Sequence, residues 1–224
     1  MKLPSRILFN NWNGVILALL LGLCLDLRLT GAQGDHSFTL KLQKRVDSKN
    51  TGAFVTTIHK EKWDAGATAV IVCDMWDLHH CKNAVGRVKE MAPRINQLLE
   101  EARSAGALII HAPSSCMGFY QGHPARLKAQ HAPKASNTPE DIGQWCHQIP
   151  SEEAGVYPLD QSDGGEDDDP VEHAAWAKYL EEMGRNPRAP WIRQYDVLKI
   201  HNEDAITDDG EEVWGLLEQH GIDH

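Results

Sequence analysis

The chain has 224 residues, of which 42% are hydrophobic and 24% charged, enough for one domain with a real core. Its formal net charge is −10, with 32 Asp and Glu against 22 Lys and Arg. An acidic surface repels nucleic acid and anionic lipid, so neither is an expected partner.

The first predicted element is a leader. Lys2 and Arg6 form a basic start, residues 14–24 (GVILALLLGLC) are almost continuously apolar, and Thr30-Gly31-Ala32 supplies small residues for cleavage. This pattern predicts a secretory signal peptide over residues 1–32, hence a secreted or periplasmic protein. The apolar run is about half of the ~20 residues a spanning helix needs, so no stable membrane span is expected. Without residues 1–32 the chain carries 19 basic and 31 acidic residues, a net −12. Four cysteines remain: Cys73, Cys81, Cys116 and Cys146. Export permits up to two disulfides among them, and spacing does not fix the pairing.

Residues 33–65 read as a polar N-terminal extension. Within it TLKLQKRV alternates weakly, as a strand does, and Asn50-Thr51-Gly52 signals a turn. Residues 68–73 (TAVIVC) are short, β-branched and apolar, which suits a strand buried on both faces of a parallel sheet. The apolar positions Val88, Met91, Ile95, Leu98, Leu99 and Ala102 follow helical spacing. With Pro93 in the first turn and Gly106 as a stop, they predict a helix over residues 92–104. Residues 107–110 (ALII) form the next strand and lead into His111, which completes a βαβ unit.

Residues 112–190 are irregular, with Trp145 and Trp176 as packing anchors. The acidic run DQSDGGEDDDP at 160–170 fails as a calcium loop, because Gly164 and Val171 fall where ligands are needed. It reads as a solvated loop. Order returns with residues 195–200 (YDVLKI), expected to be a strand carrying Lys199 near its end. Thr207 or Asp208 then caps a helix with Glu211 and Glu212 in its first turn and Gly221 as its stop. RSAGALIIH and EQHGIDH share one grammar: helix end, glycine, strand opening. The second copy breaks off, so the last part of the domain is expected to be missing.

The stretch AVIVCDMWDLHHCK, residues 69–82, concentrates the reactive groups. Asp74 ends the first buried strand, and ligand crevices of open α/β sheets lie outside such ends. A carboxylate there can act as a general base, or it can cap a loop. His79, His80 and Cys81, with Asp77, are zinc-ligand types that His111 and Cys116 could join from the neighbouring strand, but adjacent ligands fit one tetrahedral ion poorly. Zinc held by His79 and His111 is the surviving metal alternative. Otherwise these rings line a polar pocket or face solvent. Cys116 is either structural, paired or a nucleophile. Lys199 either holds an anion or faces water from an edge strand.

Together AVIVCDMWD, RSAGALIIHAP and LKIHNEDAITDDG…LLEQHGID resemble the isochorismatase-like cysteine hydrolase superfamily, which includes nicotinamidases and other amidases. The resemblance covers residues 66–118 and 190–224. It implies a three-layer α/β/α fold with a mainly parallel sheet over residues 66–224, incomplete at its C-terminal end. It implies a hydrolase for a small amide or related C–N bond, with Asp74 as general base and Lys199 assisting. The family's nucleophilic Cys follows the strand that HGID would open, so it is expected to be absent here. Trp76, His79 and His111 are the expected substrate-pocket wall. No cofactor is required; zinc would be accessory. A homo-oligomer is compatible with this reading. The alternative is a non-catalytic small-molecule-binding domain built on the same fold.

Overall fold

The computed structural model describes residues 36–47, 53–144 and 166–224. Cys146, Trp145, the Asn50-Thr51-Gly52 turn signal and the expected signal peptide lie outside these residues.

The N-terminal extension is a long hairpin. Strands β1 (Ser37–Asp47) and β2 (Phe54–Asp64) pair antiparallel, from Ser37 opposite Asp64 to Asp47 opposite Phe54. Paired residues share a face. One face carries Phe38 with Trp63, Leu42 with His59 and Val46 with Val55. The other carries Lys41 with Lys60 and Thr39 with Lys62. The hairpin is tied down at its base. Phe38 packs against the core, Ala65 N donates to His36 O, and Trp63 stacks on His224 with ring centroids 4.4 Å apart.

Strands β3 (Ala69–Cys73), β4 (Leu108–Ala112) and β5 (Ala205–Ile206) form a parallel sheet in the order β3-β4-β5. The first two are the expected apolar runs, and the chain is accordingly a mixed α/β protein. The central strand β4 is covered on both faces, whereas β3, at the sheet edge, buries only Val72 and leaves Ile71 and Cys73 exposed, so the expectation of a first strand buried on both faces does not hold. On one face, Val72 and Ile109 pack with Ala92, Leu99 and Ala102 of α1 (Lys82–Ala105). On the other, Leu108, Ile110 and Ala205 pack with Ala129 of α2 (Pro124–Gln130) and Leu216 of α4 (Gly210–His220). Helix α3 (Pro170–Glu182) buries Leu180.

Three further expectations need correction. Helix α1 starts at Lys82, not at Ala92, and holds Pro93 in its interior. An interior proline costs about 3 kcal/mol and removes one helical hydrogen bond. The apolar stripe nevertheless continues upstream through buried Val85 and core-packed Val88, and this packing keeps the helix whole across Pro93. The YDVLKI segment is not a strand. It turns at Leu198 N to Tyr195 O, and Tyr195, Val197 and Leu198 fill the α1-side core from irregular backbone. The parallel partner of β4 is instead Ala205–Ile206. Finally, α4 is capped by Asp209, whose carboxylate accepts from Glu211 N and Glu212 N.

Gly106 and Gly221 do stop their helices. Both are left-handed, with φ of 100° and 61°, where glycine carries no Cβ penalty. After Gly221 the chain meets β3: Asp223 N and His224 N donate to Ala67 O, and Ala69 N donates to His224 O. Among the described residues, no helix is long and apolar enough to cross a membrane.

Candidate functional site at the carboxyl ends of the strands

Asp74 follows β3 directly. Its N–H continues the ladder to Ala112 O, and its backbone then enters the left-handed region at φ 49°. That turn is uncommon for a residue with a side chain. It leaves the carboxylate exposed, with Oδ1 accepting from Ser114 N at 2.9 Å. Ser115, itself at φ 63°, donates its N–H to Asp208 Oδ2. Two carboxylates thus bracket the loop that follows β4.

An aromatic wall stands beside Asp74. The Trp76 indole stacks on Trp191 at 4.3 Å, and His79 stacks near both at 5.8 and 5.6 Å. Trp76 Nε1 donates to Ser114 O, so the wall and Asp74 are anchored on the same residue. Asp77 fixes the far side: its Oδ1 accepts from Ile192 N and Arg193 N, which holds the loop carrying Trp191. Burial and the neighbouring His80 push His79 below the usual imidazole value.

Cys116 lies beneath this wall with Tyr120, Ala125 and Ile206, and is almost fully buried. Burial, together with Asp77, Asp208 and Asp74, pushes its thiol up to about 12. A thiol held that high is not a nucleophile near neutral pH. Cys73, Cys81 and Cys116 are all free thiols, so no disulfide joins the described cysteines.

His111 and Lys199 stand elsewhere than the pocket expectation places them. His111 is fully buried on β4, with Nδ1 on Gln194 Oε1 at 3.0 Å and Nε2 on Asp204 Oδ2 at 3.2 Å. Arg103 closes the group with two bonds to Asp204. Neither imidazole nitrogen of His111 is left for a substrate or for zinc. His79 Nδ1, for its part, accepts from Cys81 N. The two rings are engaged separately and do not form the expected metal pair. Lys199 is exposed; its Nζ donates to Asp196 O at 2.9 Å and its N–H donates to Asn96 Oδ1. No ion pair joins it to Asp74 among the described residues.

The groups best arranged for a metal are different ones. Cys81 with Asp167 and Asp168, and Glu166 with Asp168 and His173, bring their ligand atoms within 4.8 Å of one another. Asp168 also accepts from Lys82 N and Asn83 N at the start of α1, and Arg87 pairs with Asp167 at 2.7 Å. The described end of the acidic run therefore docks on a helix terminus rather than standing free in solvent.

Trp191, Ser114 and Asp208 were not legible as site residues from sequence. Ser114 acts through its own backbone amide, and the Asp208 carboxylate holds the Ser115 amide; contacts to backbone amides leave no residue-type signature. Trp191 lies 115 residues from Trp76, and only its position in a run of otherwise irregular sequence marks it. No protein-family model, no curated protein and no solved structure matches this chain.

Proposed function

We propose that the chain is an isochorismatase-like hydrolase of small amides or related C–N bonds, with Asp74 as its general base. The observation that carries this reading is the exposed Asp74 carboxylate at the carboxyl end of a parallel strand, oriented by Ser114 N at 2.9 Å. Ligands of open α/β sheets bind outside such ends. The Trp76–Trp191 stack offers a planar wall beside it.

With Oδ1 anchored, Oδ2 is the basic atom. It takes a proton from water as the water oxygen bonds to the carbonyl carbon. The C–N bond then breaks, and the proton passes to the departing nitrogen. Cys116 takes no part, since its thiol stays protonated. Lys199 Nζ donates to the Asp196 backbone carbonyl, and no ion pair joins it to Asp74 among the described residues, so Asp74 carries the proposed chemistry. That same placement favours a second reading, a binding domain without chemistry.

Turnover of a panel of small aromatic amides decides between them. A general base contributes about 10²–10⁴-fold, so Asp74→Asn should lower kcat/KM by at least ~100-fold with Tm unchanged. Hydrolysis that survives the substitution would remove Asp74 from the mechanism. Saturable binding of an amide without product would establish the binding domain.

A further inference from the structure

Lys199 opens into a groove of about 290 Å³ between the segment after β4 and the loop preceding β5. Its lining includes Phe119, Tyr120, His123, Arg193, Lys199 and Ile200. Asp74 does not line it. Residues 65–224 carry 27 acidic and only 13 basic residues, yet this groove gathers Arg193, Lys199 and a histidine around a single lining carboxylate, Asp196.

Arg193 is ion-paired with Asp77 and Asp196, but both cations keep unused hydrogen-bond donors. Arg193 sits over the Phe119 ring at 5.7 Å, a cation–π contact that orients its guanidinium plane. Asp77 and Asp196 flank it at 3.8 and 3.6 Å, too long for hydrogen bonds, so its planar N–H fork stays available. Lys199 Nζ spends one N–H on Asp196 O and has two more. His123 Nδ1 accepts from Ala125 N, which puts the ring proton on Nε2. The walls are apolar and aromatic: Phe119 and Tyr120 meet edge to face at 5.1 Å, and Phe119 is half exposed.

Cations plus aromatic walls select an amphipathic anion. Drug-sized ligands occupy roughly 300–1,000 Å³, so this volume suits a single ring. A planar guanidinium matches a carboxylate in two-point geometry. We infer that this groove binds a small single-ring carboxylate, with Arg193 and Lys199 on the carboxylate and Phe119 and Tyr120 against the ring. The site is separate from Asp74 and does not rest on the hydrolase reading.

Titration of the whole chain with benzoate, followed by amide NMR, tests it. Benzyl alcohol serves as the neutral single-ring control. Benzoate should give saturable shifts at Phe119, Arg193, Lys199 and Ile200, with benzyl alcohol at least ~10-fold weaker. Arg193→Gln and Lys199→Gln should each weaken benzoate about 10-fold, and Asp74→Asn should leave it unchanged. If Arg193→Gln disturbs the fold, Lys199→Gln decides alone, because that side chain is exposed and holds one carbonyl. Equal affinity for the alcohol would overturn the inference. So would unsaturable shifts, insensitivity to Lys199→Gln, or shifts centred on Trp76 and Trp191 that vanish in Asp74→Asn.

Discussion

The hairpin and the parallel sheet are both β-structure, yet different forces build them. The hairpin strands are 11 residues long and pair only with each other. Residues 37–64 hold six basic and three acidic residues, opposite in sign to the residues that follow. Phe54 and Ile58 are 63% and 66% exposed. Strands β3 and β4 are five residues each and apolar except for His111, and β4 is buried along almost its whole length between helices. Local cross-strand pairs hold the first element; burial from distant sequence holds the second. An isolated two-stranded hairpin is marginal in water, whereas a sheet covered on both faces fails only with the whole domain. The difference implies that perturbations in the two regions read out on different scales.

The largest effect is expected within the buried polar group behind the sheet. Asp204 is buried with His111, Arg103 and the N–H of His201. Burial opposes its charge, but hydrogen bonds from His111 and Arg103 outweigh that and hold the carboxyl well below the usual carboxylate range. Asp204→Asn leaves Arg103 without its buried partner and should cost about 3–5 kcal/mol in urea unfolding. The sign of the pH dependence follows from the depressed value. The stabilisation is present above the unfolded carboxylate pKa of about 4 and is lost as pH falls below it. The wild type should therefore weaken on acidification more steeply than Asp204→Asn does. Equal slopes would show that Asp204 does not carry the acid sensitivity.

A smaller effect is expected where two backbones touch. A Cβ on Gly215 would lie 2.5 Å from Pro133 O, inside any real contact distance. Alanine normally favours helix over glycine by about 1 kcal/mol. Here Gly215→Ala should instead destabilise by about 1–3 kcal/mol, by forcing α4 away from the segment after α2. A raised Tm would mean that this approach is not close in solution.

What sequence revealed tracks the same division. The strands β3 and β4, the αL stops at Gly106 and Gly221 and the strand-end Asp74 were legible because each obeys a local rule. The start of α1 was not, since Pro93 is a local breaker overruled by the packing of Val85 and Val88. Residues 195–200 have strand composition, but their apolar side chains serve the core from a turn. His111 looked like a site residue because it ends an apolar strand. Its role depends on Gln194 and Asp204, 83 and 93 residues away, and no spacing rule reaches that far. The Asp74 partners are backbone groups of the next strand's loop, visible only once β3 and β4 are paired.

The smallest effect sharpens the comparison most. Lys41 and Lys60 face each other directly across the hairpin, and like charges opposite one another are destabilising. Lys60→Glu turns this pair attractive and should stabilise the hairpin by about 0.5–1 kcal/mol. If the hairpin opens locally, amide exchange over residues 37–64 should slow by about two- to five-fold, the same free energy read as an opening equilibrium. Exchange at Leu99 and Ile110, both fully buried in the body, should not change, because their amides open only with the whole domain. Slowing that spreads to those amides would join the two regions in one cooperative unit. The anchors at Phe38, Ala65 and Trp63 would then transmit more than position, and the contrast in what holds the two sheets would not extend to how they unfold.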